Sequence, residues 1–188
     1  GRYAICSRWC FPDNIAVVAL GFYANAMGKF MHEALTPEEQ EEAVTTITNV
    51  RDNFGLKACA NRGCGPDQAA AVRADFEQLM RHADAHYSEH AFLLGDRASL
   101  GDFSFAGLFT AHIAADPEPR SWIEASAPAM LGHMERVFNA TSDAADYLAE
   151  DRLPKTLNPF FDHMRETYHQ FLRVSREALG KGEKWCKV

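Results

Sequence analysis

Three histidines recur at the spacing of one helical turn and could chelate a metal ion. His82, His86 and His90 lie four residues apart in a segment with helical periodicity. Side chains at i and i+4 meet on one face of a helix, and neutral imidazoles are good ligands for zinc or nickel. No carboxylate or cysteine is placed to complete a ligand set. We therefore interpret all three as structural or surface histidines, with a metal site as the weaker alternative.

The cysteines offer a second possible chemistry. Cys6 and Cys10 are separated by three residues, Cys59 and Cys64 by four, and Cys186 stands apart. Neither pair has the two-residue spacing of common zinc knuckles. Reduced thiols are the interpretation we favour, while one or two disulfides and a four-cysteine metal site stay open. A redox active site at the first pair would need a sheet, and no alternating β pattern follows it.

A serine and an aspartate mark the start of the most apolar segment. Ser99 and Asp102 have the spacing of a capping box, in which each side chain accepts a hydrogen bond from the other residue's amide. The segment Phe103 to Ala115 is apolar or small on nearly every side. Such a helix has no solvent face, so we expect it to be the buried central rod of a helical domain.

The other elements are also predicted to be helices. Thr36-Pro37 with Glu39 forms a second capping box, and a Gly- and Cys-bearing loop is expected over 53–65. The apolar stripe of the last helix, from Phe160 to about Leu179, is expected to point inward. Apolar periodicity and start signals predict further helices over 15–34, 37–52, 66–90 and 128–138.

One stretch resembles a known family. Residues 92–103 (FLLGDRASLGDF) are similar to the loop and buried-helix start in the C-terminal domain of glutathione transferases. The similarity is specific over 66–137 and includes the segment APAMLGHMER at 127–136. It implies an all-α bundle of six or seven helices like that domain. In that family the motif is structural, and glutathione binds mainly to a preceding thioredoxin-like domain, which is not recognisable here.

The resemblance also implies a location for a substrate pocket. In glutathione transferases, side chains from the first helices of this domain line the pocket for the electrophilic substrate. The corresponding residues would be Phe22, Tyr23, Met27, Phe30 and Met31. The family's nucleophile-activating residue lies in the other half, so the resemblance implies no catalytic residue in this chain, and glutathione as cofactor only if that half exists.

The sequence divides into three expected parts. Residues 1–12 are a lead-in or docking segment carrying Trp9 and Phe11, 13–180 are the helical domain, and 181–188 are a mobile tail. The sequence begins with glycine, not methionine, so we expect an upstream leader, an upstream domain or a cloning boundary. No signal peptide or transmembrane segment is recognisable, which leaves a soluble protein of the cytoplasm or an organelle as the expectation.

Composition narrows the function classes. The 188 residues are 47% hydrophobic with a net charge of −7, which permits one sizeable core and disfavours binding to nucleic acid or anionic lipid. We expect a non-catalytic accessory or assembly subunit whose partners are other protein subunits, with a homodimer possible. The alternative is the C-terminal half, or a divergent form, of a glutathione-dependent transferase.

Overall fold

The described part of the chain folds into helices joined by turns and loops of different lengths. The computed structural model describes residues 2–26, 35–141 and 146–183, and within those ranges it contains no β-strand, only isolated bridges from Gly95 to Phe92 and Tyr147. The all-α prediction is therefore confirmed. The helices are α1 Arg2–Trp9, α2 Pro12–Ala26, α3 Pro37–Val50, α4 Leu56–Ala60, α5 Ala69–Glu89, α6 Leu100–Leu108, α7 Pro117–Ser126, α8 Pro128–Phe138, α9 Asn158–Glu166 and α10 Tyr168–Gly180.

Helix α5 lies at the centre of the main core. It is 21 residues long and packs against α1, α7, α8 and α9. Its inward residues recur every three or four positions, as the sequence pattern predicts. Trp122 and Ile123 of α7 and Met130 of α8 pack on the same core. The buried residues of α5 in this core are Phe76, Met80, Ala83 and Tyr87.

A second, smaller core forms among the first four helices and the start of α5. Ile15 and Val18 of α2 and Ile47 of α3 pack there together with four cysteines. Tyr3 and Phe11 pack against both cores. The two clusters are therefore joined through Tyr3 of α1 and through Phe11, which lies between α1 and α2.

Two side-chain caps fix where helices begin. Thr36 and Ser99 each form a capping box, the first with Glu39 and the second with Asp102. The Glu39 carboxylate accepts the Thr36 amide at 2.8 Å, and the Asp102 carboxylate accepts the Ser99 amide at 2.8 Å. Each box satisfies amides that the first turn of a helix leaves unpaired.

The loop expected over 53–65 is largely helical. After α3 the chain continues through a π-type turn, Arg51–Gly55, and α4 before it turns at Gly63. The reason is a long-range contact, because the Trp9 indole packs directly on Gly55. A Cβ at that position would lie 2.6 Å from the indole Cδ2. Local sequence pattern cannot reveal such a contact.

The expectation of a buried central rod over Phe103–Ala115 is wrong. Helix α6 is followed by a π-type turn, Phe109–Ile113, and together they bury one side only. Asp102, Ala106 and Phe109 face the core, whereas Leu100 is 83% exposed. The exposed side of this segment carries no Asp, Glu, Lys or Arg. Its apolar composition therefore did not reveal which side is buried. The central position belongs to α5.

The first twelve residues are also not a separate lead-in. Residues 2–9 form α1, which packs against α2, α4 and α5. Trp9 is only 9% exposed and belongs to the second core, while Phe11 packs edge-on against Trp122 with ring centroids 4.9 Å apart. Both rings are engaged inside the fold, so neither presents a free docking side chain. Of the expected tail, 181–183 are described and 184–188 lie outside the described residues.

Candidate functional site

A stripe of large hydrophobic side chains follows the outer side of α9 and α10. Neither helix buries a large apolar residue fully, and Phe171 is 47% exposed. The expectation that this stripe points inward is therefore wrong for most of its members. We call the exposed set the C-terminal apolar face; it comprises Phe161, Met164, Tyr168, Phe171, Leu172 and Leu179.

Charged residues occupy the other sides of the same two helices. Arg173 pairs with Glu177 through an Nη1–Oε1 contact of 3.1 Å, and Arg165 pairs with Asp162. These pairs are exposed and lie at helical i, i+3 and i, i+4 spacing. Amphipathic helices of this kind normally pack their apolar side against the protein core or against a partner.

Polar contacts hold α9 against the rest of the fold. The Tyr3 hydroxyl donates to Asp75 Oδ2 at 2.5 Å, and His163 Nε2 of α9 lies 3.2 Å from the same hydroxyl. Phe160 packs against the main core and edge-on to His82. The inner side of α9 is thus anchored while its outer side stays open. Burial and the Asp75 carboxylate both raise the pKa of Tyr3, so its hydroxyl stays protonated.

The outer side of α6 is a second exposed apolar surface. Leu100, Phe103 and Leu108 are exposed there, with Ser104 and Gly107 between them. Their spacing places all five on one side of the helix. A Cβ at Gly107 would meet no atom within 4 Å. This outer side of α6 is therefore uncharged and exposed, and its small residues Ser104 and Gly107 would let another helix approach closely.

The histidine ladder is divided between different surroundings. His82 contacts the Phe160 ring, whereas the His86 ring is fully buried with Nδ1 2.7 Å from Thr156 Oγ1. His90 lies beside His86 with ring centroids 5.1 Å apart. Across 2–26, 35–141 and 146–183, no group of three or more histidine, cysteine or acidic side chains is arranged to hold a metal ion.

A buried polar cluster surrounds the α6 cap. Asp102 is fully buried, and its Oδ1 accepts the Leu93 amide at 2.8 Å. His133 of α8 lies with Nε2 3.7 Å from the same oxygen, and its ring stacks on Tyr87. Burial lowers the pKa of His133, so we expect a neutral ring at pH 7. Nothing in the local sequence distinguishes His133, because only the fold brings it beside Asp102.

The side chains of the implied substrate pocket lie outside the described part of the structure. Phe22 and Tyr23 lie on α2, but their side chains are outside the described part, and Met27, Phe30 and Met31 are outside it entirely.

A cavity of about 10 Å³ opens beside α1 and has room for about one water molecule. Residues that line this cavity include Cys6, Val72, Arg73, Ile113 and Pro119.

Sequence reasoning also missed a buried charge pair. Arg8 of α1 donates from Nε and Nη2 to the two carboxylate oxygens of Asp116, at 2.9 and 3.0 Å. Asn14 donates to the same carboxylate at 3.4 Å and accepts the Glu118 amide. These contacts join α1 and α2 to the start of α7. Asp116 has no recognisable partner nearby in sequence, because Arg8 and Asn14 lie more than 100 residues before it.

Neither the described helices nor the comparisons with known proteins assign the chain to a family. Among the described residues, no helix combines the length and hydrophobicity needed to cross a bilayer. No family model, curated protein or solved structure matches this chain.

Proposed function

We propose that this chain is a helical docking domain, an accessory or assembly subunit that binds another protein through its C-terminal apolar face. The observation that carries the proposal is the exposure of six large hydrophobic side chains along α9 and α10. Exposed apolar surface that follows two neighbouring helices is typical of protein-interaction sites. Phe161, Tyr168 and Phe171 also belong to the residue types that are enriched where interfaces contribute most binding energy.

The surroundings of the face favour a protein partner. Charged residues flank the apolar stripe, as a polar rim surrounds the apolar centre of a typical interface. The net charge of −7 disfavours a nucleic acid or an anionic membrane as the ligand. The Tyr3–Asp75–His163 contacts keep α9 in place, so Phe161 and Met164 are already positioned before a partner binds.

Site-specific photocrosslinking in the source cell tests the proposal. A photoreactive phenylalanine analogue replaces Phe171 in one variant and Arg173, on the charged side of the same helix, in the other. We expect position 171 to yield a crosslinked protein partner that position 173 does not yield. Equal crosslinking at both positions, or none at position 171, would contradict a docking role for this face.

A second copy of the chain is one possible partner. Sedimentation of the purified chain over a range of concentrations distinguishes this case, because a homodimer dissociates on dilution. If the face joins two copies, Phe171→Glu should shift the chain to the monomer, whereas Arg173→Glu should not. A dimer that survives Phe171→Glu would place the contact elsewhere.

The alternative function is the C-terminal half of a glutathione-dependent transferase. The open side of α6 supports it, because Leu100 and Phe103 would then be covered by a second domain. Under this alternative the glutathione site lies outside the described residues or on another chain. Binding to immobilised glutathione, or conjugating activity of the 188 residues alone, would favour the transferase and contradict a purely non-catalytic role.

A further inference from the structure

Helix α10 has little packing of its own within the fold. Among the described residues its main contacts are with α9, from which it is separated by Thr167. Of its 13 residues only Ala178 is buried, and Leu179 is 75% exposed. A helix of this length is marginally stable in water unless its apolar side packs against another surface. Helix α9 has such packing, because Phe160 and His163 hold it against the fold. Helix α10 therefore depends more on a partner.

The exposed apolar residues of α10 form a narrow stripe, which we call the α10 stripe and which comprises Tyr168, Phe171, Leu172 and Leu179. Tyr168, Leu172 and Leu179 are separated by four and seven residues. Side chains at these separations lie on one side of a helix, and packed helices contact each other at this spacing. From Tyr168 to Leu179 the stripe is about 16 Å long. A surface that is three turns long and narrow fits one helix laid alongside α10.

One arginine beside the α10 stripe has no acidic partner in the described part of the fold. The other two arginines of α9 and α10 pair with acidic residues on their own helices. Arg176 is exposed and forms no ion pair with any described residue. It follows Leu172 by four residues and precedes Leu179 by three, so it borders the stripe. A free cation at this border is available to pair with a carboxylate from a partner.

The C-terminal segment is also the basic part of an acidic chain. Residues 158–188 contain six lysines and arginines against four aspartates and glutamates, whereas residues 1–157 contain 13 against 22. The charge of the chain therefore disfavours an acidic partner at most other surfaces but not here. Opposite charges beside an apolar seam also select which helix pairs with which, and in which orientation.

Resting on the docking role proposed above, we propose that the partner inserts an amphipathic helix that packs along α10 and places an acidic residue opposite Arg176. The apolar side of this helix contacts the α10 stripe and supplies the packing that α10 lacks. Its carboxylate gives Arg176 the counterion that the described part of the chain does not supply. The partner segment is thus defined by its chemistry, as a helix with one apolar side and an acidic border.

Crosslinking from several positions tests whether the partner segment is a helix. The photoreactive phenylalanine analogue replaces Tyr168, Leu172 and Leu179 one at a time, and mass spectrometry identifies the partner residue that each position captures. For a helix we expect captured residues about four apart for the first two positions and about seven apart for the last two, because paired helices advance equally per residue. An extended segment rises about twice as far per residue, so its captured residues would be only about two and three apart.

Exchange of charges tests the acidic residue. Arg176→Glu should weaken binding of the crosslinked partner at least about fivefold, and by less in about 0.5 M salt, which screens exposed charges. Lysine in place of the facing acidic residue of the partner should weaken binding of the wild-type chain and restore binding of Arg176→Glu. Arg173→Glu, on the charged side of the same helix, is the matched control and should change the affinity by less than about twofold. Circular dichroism identifies any variant that loses helix, and the crosslinking map decides the proposal independently of the variants.

The outcomes separate this proposal from the docking role on which it rests. Captured residues about two and three apart, or no acidic residue facing Arg176, would overturn the proposed helix while the docking role stands. Capture of α10 of a second copy would also overturn it, because the acidic residue of α10, Glu177, lies away from the stripe. No capture from any position along α10 would overturn both.

Discussion

Two buried histidines make the folded chain sensitive to acid. Burial, together with the neighbouring His90 ring, lowers the pKa of His86 to about 4. Burial also lowers the pKa of His133. In the unfolded chain both rings titrate near their usual pKa, so they take up protons there first. The free energy of unfolding therefore decreases as pH falls below about 6.5, and the decrease caused by His86 is complete below about pH 4.

Denaturant unfolding at a series of pH values measures this penalty. We expect the His86 ring to reduce the free energy of unfolding by roughly 3 kcal/mol between pH 7 and pH 4. His86→Gln should lower stability at pH 7 but flatten this part of the profile. His169→Gln, at an exposed site on α10, should leave the profile unchanged. An unchanged slope in His86→Gln would show that other groups cause the acid sensitivity.

The Arg8–Asp116 pair should contribute strongly to stability. Asp116→Ala leaves the Arg8 guanidinium without its bidentate carboxylate in a mostly buried position. Breaking such a pair from one side costs about 3 kcal/mol, which thermal or denaturant unfolding would reveal. Glu124→Ala is the matched control, because its pair with Arg120 is exposed and should be worth about 0.5 kcal/mol. Similar losses in both variants would contradict this account.

Residue types alone could predict some of these roles but not others. Ser99 and Asp102 were recognisable because both partners of a capping box lie within one turn of sequence. The Arg8–Asp116 pair and the cysteine cluster depend on where distant helices pack, which no local spacing encodes. The histidine ladder shows the converse, because its regular spacing says nothing about what the neighbouring helices place beside each ring.

At the scale of elements, the α6 cap offers a measurable contribution. Ser99 accepts the Asp102 amide at 3.4 Å, and its hydroxyl donates to the Asp102 carboxylate at 2.6 Å. Ser99→Ala should therefore lower the free energy of unfolding by about 1 kcal/mol. Ser104→Ala, on the exposed side of the same helix, should change it by less than about 0.5 kcal/mol. Chemical denaturation of both variants tests the difference, and an equal effect would contradict a capping role.

The junction between α3 and α4 depends on a glycine. Gly55→Ala would place a methyl group against the Trp9 ring and should destabilise the fold by roughly 2 kcal/mol. Gly21→Ala meets no atom within 4 Å on α2 and should be neutral or stabilising by about 0.5 kcal/mol. Melting temperatures of both variants provide the measurement. A Gly55→Ala protein as stable as Gly21→Ala would contradict the proposed close packing.

Element starts were easier to predict than element surroundings. The Thr36 and Ser99 boxes indicate where α3 and α6 begin, and periodicity indicates the inward residues of α5. The apolar sides of α6 and α10 were expected to be buried but are exposed. An apolar stripe predicts contact with another surface, and it does not show whether that surface belongs to the same chain. The helical residues around Gly55 were missed because Trp9 packs there from another helix.

At the scale of the whole molecule, two cores hold the helices together while apolar surface stays open on α6, α9 and α10. The described residues are all-α, as the helical periodicity and the resemblance predict. The resemblance to the helical half of glutathione transferases and the assembly role remain proposals. Both proposals require a second protein or domain, because each assumes that such a partner packs on apolar surface that the described residues leave exposed.

The most direct test of the docking role is the affinity for the crosslinked partner, measured by titration with three forms of this chain. Relative to the wild-type chain, Phe171→Ala should weaken binding at least about tenfold, because it removes a central aromatic contact. Arg173→Ala, on the charged side of α10, should change the affinity by less than about twofold. Equal affinities for all three forms would contradict binding through the C-terminal apolar face.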